Sequence, residues 1–139
     1  MEQLTKSVMQ LLLAGDEPAL VGLRNQYQGA EVESLEFSGV GAFVNFQLPE
    51  TALLVNPPNF VLQDIELELE GLEHSVTVLL FVRGGKLTML EFAAHEPWPE
   101  QPRVRKLGYL ASHPVGSNTL KFLPVADRDL DTVRRALAA

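Results

Sequence analysis

GGKLTMLEF, residues 84–92, follows the run VTVLLFVR at 76–83, and the way these two segments pair decides the fold. The run before the glycines is apolar at nearly every position, as expected of a central strand buried on both faces. Gly84-Gly85 is a two-residue hairpin signal, because the tight primed turns need positive φ, which glycine adopts without strain. Placing Arg83 opposite Lys86 predicts the pairs Val82–Leu87, Leu80–Met89, Val78–Glu91, Val76–Ala93 and His74–His95. In that register Glu91 points toward the core with Val78, Leu80 and Met89. The second face carries Leu79, Phe81, Leu90 and Phe92, with Thr77 and Thr88.

Outward from this hairpin the periodicity places the other elements. IELEL at 65–69 alternates an apolar with an acidic residue, the pattern of a strand with one dry and one wet face. Val40, Ala42, Val44, Phe46 and Leu48 alternate as well. Val32 lies out of phase with Leu35 and Phe37, which predicts a bulge near Ser34. Asn56-Pro57-Pro58-Asn59 marks a loop. At the N-terminus Leu4, Val8, Leu11 and Leu12 have helical spacing up to Gly15. A second helix, capped by Asp16, carries Leu20, Leu23 and Tyr27. After Pro97-Trp98-Pro99, Leu120 and Phe122 form a short strand, and Asp127 or Asp129 caps a final helix. The expected fold is α+β: two N-terminal helices packed on a mostly antiparallel sheet of about five strands, with a short C-terminal strand and helix.

A chain of 139 residues, 46% hydrophobic and 21% charged, matches one globular domain over 1–139. The absence of cysteine excludes disulfides, a thiolate nucleophile and thiolate metal sites. Apolar stretches are too short to span a bilayer and the N-terminus lacks a signal-peptide pattern, so a cytoplasmic protein with no membrane partner is expected. The net charge of −7 argues against nucleic acid, which draws its affinity from cations on phosphates. The charge is unevenly spread: residues 1–100 hold 15 acids and 4 bases, whereas 101–139 hold 3 acids and 7 bases. This basic tail is expected to pack on the acidic body or on a partner subunit.

Few residues suggest chemistry. Glu91, aimed at a core, is a candidate general acid or base. His74 and His95, opposed and flanked by Glu73 and Glu96, are candidate metal ligands. No dinucleotide, phosphate-loop or nucleophile motif is present, so no cofactor is expected. The apolar second face offers a different reading. Leu79, Phe81, Leu90 and Phe92, with Trp98, form a candidate interface or pocket, too apolar to stay wet on a monomer. A noncatalytic binding or assembly protein, homo-oligomeric or bound to a protein partner, is the leading expectation. A small enzyme or metal-binding protein using Glu91 or the His74/His95 pair is the alternative.

Residues 11–99 also resemble a group of small uncharacterised bacterial proteins. The shared pattern is an Asp-Ile/Val step, an acidic strand, Leu-Phe-Val, a glycine turn, Leu-x-x-Leu-Glu and Trp-Pro. Asp64, Phe81, Gly85, Leu87, Leu90, Glu91, Trp98 and Pro99 match it. The segment after Glu100 lies outside the pattern, and Phe92-Ala93-Ala94 replaces a common glycine and tyrosine. The resemblance implies a shared fold and no defined activity.

Overall fold

A computed structural model describes residues 1–138. The chain opens with helices α1 (Glu2–Leu12) and α2 (Pro18–Gly29). Strands β1 (Glu31–Phe37), β2 (Gly41–Gln47), β3 (Phe60–Leu62), β4 (Ile65–Leu69), β5 (Thr77–Arg83) and β6 (Lys86–Ala93) follow. The tail supplies β7 (Val104–Val115), β8 (Thr119–Val125) and helix α3 (Leu130–Ala138). The class is α+β with antiparallel sheets.

The expectation of one sheet of about five strands with a short C-terminal strand is overturned. Eight strands form two sheets, one ordered β1-β2-β6-β5-β3 and the other β4-β7-β8. β3 and β4 are one extended segment interrupted at Gln63–Asp64. Before the interruption β3 pairs with β5 through Phe60–Val82 and Leu62–Leu80. Beyond it β4 keeps a single bridge to that side, Leu67–Val76, and takes β7 as its partner. Charge accounts for the choice. Glu66 and Glu68 share one face of β4, and β7 brings Lys106 to 3.0 Å from Glu66 and Arg105 to 3.1 Å from Glu68. A bulge leaves Arg105 unpaired in the ladder, so two consecutive cations reach the same acidic face. Cross-strand opposite charges favour this pairing, whereas like charges on adjacent strands oppose it.

The second correction lies in the opening hairpin. Gly84 and Gly85 adopt φ of 59° and 76°, and Arg83 pairs with Lys86 and Val82 with Leu87 as predicted. Phe81 then pairs with Met89, leaving Thr88 as an extra residue. From that bulge onward every side chain of β6 changes face. Leu90 and Phe92 enter the core, both 0% exposed, while Met89 and Glu91 turn to the other face. The energetics favour the slip. The regular register would bury a carboxylate, costing several kcal/mol, and would leave Leu90 and Phe92 partly wet, forgoing about 1.5–3 kcal/mol for each. A bulge sacrifices about one ladder hydrogen bond, worth roughly 1 kcal/mol.

The core lies between the five-stranded sheet and the helices. Leu4, Val8, Met9 and Leu12 of α1 and Ala19, Leu20 and Leu23 of α2 meet Val44, Leu80, Leu90 and Phe92. α2 is not capped by Asp16: Glu17 holds the cap position without a side-chain cap bond and instead pairs with Arg134 at 3.1 Å. Asp129 does cap α3, accepting the Thr132 N–H at 3.1 Å and its hydroxyl at 2.6 Å. The bulge in β1 falls between Val32 and Ser34, where the change of phase places it.

Candidate binding face

Strand register arranges the face of the large sheet turned away from α1 and α2 into rows. Glu36, Phe43, Glu91 and Leu79 lie side by side across β1, β2, β6 and β5. The next row holds Ser34, Asn45, Met89, Phe81 and Val61. Arg83 and Lys86 stand beyond it at the turn. Phe43, Val61, Leu79, Phe81 and Met89 are all partly exposed. The face therefore has an acidic row, an apolar centre and a basic end. Arg83 leans over the Phe81 ring, with its guanidinium carbon 5.3 Å from the ring centroid.

Of the expected apolar group, Leu79 and Phe81 occupy this face, whereas Leu90 and Phe92 are core residues. Trp98 packs against Phe92 from the loop after β6, ring centroids 5.7 Å apart, and its backbone N–H donates to the Gly39 carbonyl at 2.8 Å. Its indole N–H is buried and, among the described residues, has no hydrogen-bond partner. Phe43, Val61 and Met89 are the members that sequence reasoning missed. Phe43 was detectable as an apolar residue in the wet phase of the Val40–Leu48 alternation.

Glu91 stands partly exposed on this open face between Phe43 and Leu79, not in the core where the regular register aims it. Arg24 is engaged elsewhere, donating to the carbonyls of Leu13 and Gly15.

His74 and His95 do come together, with ring centroids 5.4 Å apart. The ladder of β5 and β6 ends at Thr77–Ala93, so their approach belongs to the loops beyond it. Glu96 fixes the His74 side of the pair. Its carboxylate accepts the N–H groups of Glu73 and His74 at 2.6 and 3.1 Å and lies 3.0 Å from His74 Nδ1. Among the described residues no group of three or more His, Cys, Asp or Glu side chains is arranged to hold a metal ion.

The hydrogen bond from the Glu73 N–H, and then those from His74, hold the Glu96 carboxyl below its ordinary range. A carboxyl with a depressed folded pKa stabilises the protein above the unfolded pKa, and the benefit is lost as pH falls through the folded value. Glu96→Gln is expected to melt below wild type at neutral pH, with the difference shrinking in acid. A difference that stays constant from neutral to acidic pH would show that Glu96 acts through packing alone.

A further strongly polar cluster is Asp64 with Arg128. Asp64, at the β3–β4 junction, is 2% exposed and receives the Arg128 guanidinium in bidentate fashion at 2.9 and 3.0 Å. Arg128 Nη1 also donates to the carbonyls of Leu11, Leu12 and Ala14. Tyr109 lies under the guanidinium and donates its hydroxyl to the Leu11 carbonyl at 2.7 Å. With every charged atom engaged, this cluster ties α1 to both sheets.

The chain matches no family model, no curated protein and no solved structure in comparisons with each. Among the described residues no helix is long and apolar enough to cross a membrane.

Proposed function

We propose that the chain is a noncatalytic, cytoplasmic assembly protein, related to the small bacterial group that its hairpin resembles, and that it acts as a homodimer joined through the open sheet face. The observation that carries this reading is the polarity of that face. An isologous two-fold contact requires one surface to complement itself. A two-fold axis through the Phe81–Met89 row superposes the acidic row holding Glu91 and Glu36 on the basic end holding Arg83 and Lys86. Arg83 and Glu91 lie four positions apart along paired strands, about 13 Å. An antiparallel copy therefore brings Glu91 opposite the Arg83–Lys86 end of its partner while Phe43, Leu79, Phe81 and Met89 interdigitate.

The tail supports a second copy as the occupant. β7 pairs with β4, β8 pairs with β7, and α3 packs on β3 and β7, so the tail builds the second sheet instead of covering this face. Five strands about 4.8 Å apart and about six residues long give a face on the order of 500 Å² per copy. The total of about 1,000 Å² sits at the lower bound for a specific interface, which implies a dimer that dissociates on dilution.

Sedimentation should show a mass near twice 15.3 kDa at high concentration. Phe81→Asp, at a partly exposed position, should remain folded and become monomeric. Arg83→Glu should weaken the dimer, and adding Glu91→Arg to it should restore association. A wild-type monomer at every concentration refutes the proposal, as does a charge swap that fails to restore what Arg83→Glu removes.

A further inference from the structure

At the β3 edge of the large sheet, bordering the open face at Arg83 but resting on Arg135 and the tail rather than on the dimer, we infer that the cavity between β3, the β7–β8 hairpin and α3 binds a small carboxylate with an aryl or short alkyl body. The cavity has a volume of about 280 Å³. A cavity of about 150 Å³ accommodates benzene, so this one has room for an aromatic ring and a short polar arm. Phe60, Leu62, Leu120, Phe122, Val133 and Ala136 supply apolar walls. Leu120 is 43% exposed, an apolar side chain at the site that a bound apolar body would cover.

Charge selects the ligand's head. Arg135 lines the cavity and is fixed there, with Nε donating to Ser112 Oγ at 3.2 Å and Nη2 to the Ser112 carbonyl at 2.8 Å. A guanidinium has five N–H donors, so three remain after these bonds. Arg83 also lines the cavity, donating to the carbonyls of Phe60 and Val82. The acids nearby are already engaged: both oxygens of Asp64 receive Arg128, and Asp129 accepts the N–H and hydroxyl of Thr132. Thr132 Oγ1 in turn accepts the Ser112 N–H at 2.9 Å. A cation held in a preset orientation against apolar walls fits the planar, bidentate geometry of a carboxylate. The combination of an apolar pocket with one convergent charged group is the usual form of a small-molecule site.

The test uses 4-phenylbutyrate and its neutral amide, followed by amide chemical shifts and calorimetry on the full chain. The carboxylate should shift resonances of Ser112, Phe122, Thr132 and Ala136, and should bind at least tenfold more tightly than the amide. Arg135→Met, which keeps the apolar stem, should abolish that preference. Ala136→Leu fills the cavity while leaving both arginines, and should abolish binding. Phe43→Asp, on the open face and away from the cavity lining, should bind as wild type does, which separates this site from the dimer face. Equal binding of acid and amide, shifts confined to other regions, or undiminished binding by a folded Ala136→Leu variant would each overturn the inference.

Discussion

Arg128→Ala is expected to lower the free energy of unfolding by about 3–5 kcal/mol, the cost of leaving a buried ion without its partner. The side chains of Arg128 and Asp64 are 11% and 3% exposed, so water cannot replace the guanidinium. The loss does not stop at the ion pair. α1 ends with carbonyls that have no partner within the helix, and Arg128 serves those of Leu11, Leu12 and Ala14 at 3.2, 2.7 and 2.8 Å. Since a domain of this size has about 5–15 kcal/mol in total, this single change removes a large part of it. Arg128→Met combined with Asp64→Leu should recover much of the loss, because matched apolar replacement of a buried pair is often neutral. Urea unfolding at neutral pH measures both. A loss below about 1 kcal/mol for Arg128→Ala would contradict the structural role assigned to the pair.

Gln26→Ala is expected to cost about 3 kcal/mol, from one orphaned buried donor together with a cavity. Gln26 is 4% exposed, although it sits on a helix among apolar residues. Its Nε2 donates to the carbonyls of Leu53 and Gly85, both at 2.8 Å, and its Oε1 accepts the Leu87 N–H at 2.9 Å. One amide thus ties α2 to the β5–β6 turn and to the preceding loop. Gly85 retains a second donor, the Val55 N–H at 3.0 Å, so the main loss is at Leu87. Gln26→Glu separates hydrogen bonding from volume. It keeps the acceptor for Leu87 but turns an anionic oxygen toward two carbonyls, so its buried carboxyl favours the protonated form. A folded pKa raised in this way makes stability fall as pH rises through the unfolded value. Gln26→Glu should therefore be closest to wild type in acid, and thermal melts across pH test the sign.

Much of the architecture is legible in the sequence because it rests on local signals. Two helices, the β1–β2 hairpin and the glycine turn follow from periodicity and backbone chemistry. The bulge at Thr88 was legible too, by the same reasoning that located the one near Ser34. Leu87, Leu90 and Phe92 change phase just as Val32, Leu35 and Phe37 do, and an acid placed inward by a regular register is itself the sign of a slip. β7 was hidden for other reasons. Its apolar positions are out of step around the Arg105 bulge, and Pro114 lies within it, a residue that argues against a strand. Pairing of β4 with β7 appeared in the sequence only as alternating glutamates and a distant basic segment. Asp64 and Arg128 are 64 positions apart, and no periodicity joins them. The approach of His74 and His95 was anticipated, but from a ladder that stops short of them.

The guanidinium that closes the end of α1 has a consequence for biosynthesis. A ribosome delivers the first helix early, yet the donor for its last carbonyls emerges 114 to 117 positions later. Throughout that interval Asp64 has no counter-ion, and the junction between the sheets cannot dehydrate without stranding its charge. Contacts this remote are slow to close. Chains truncated before Arg128 should stay open to protease, and resistance should arrive abruptly once that residue is included.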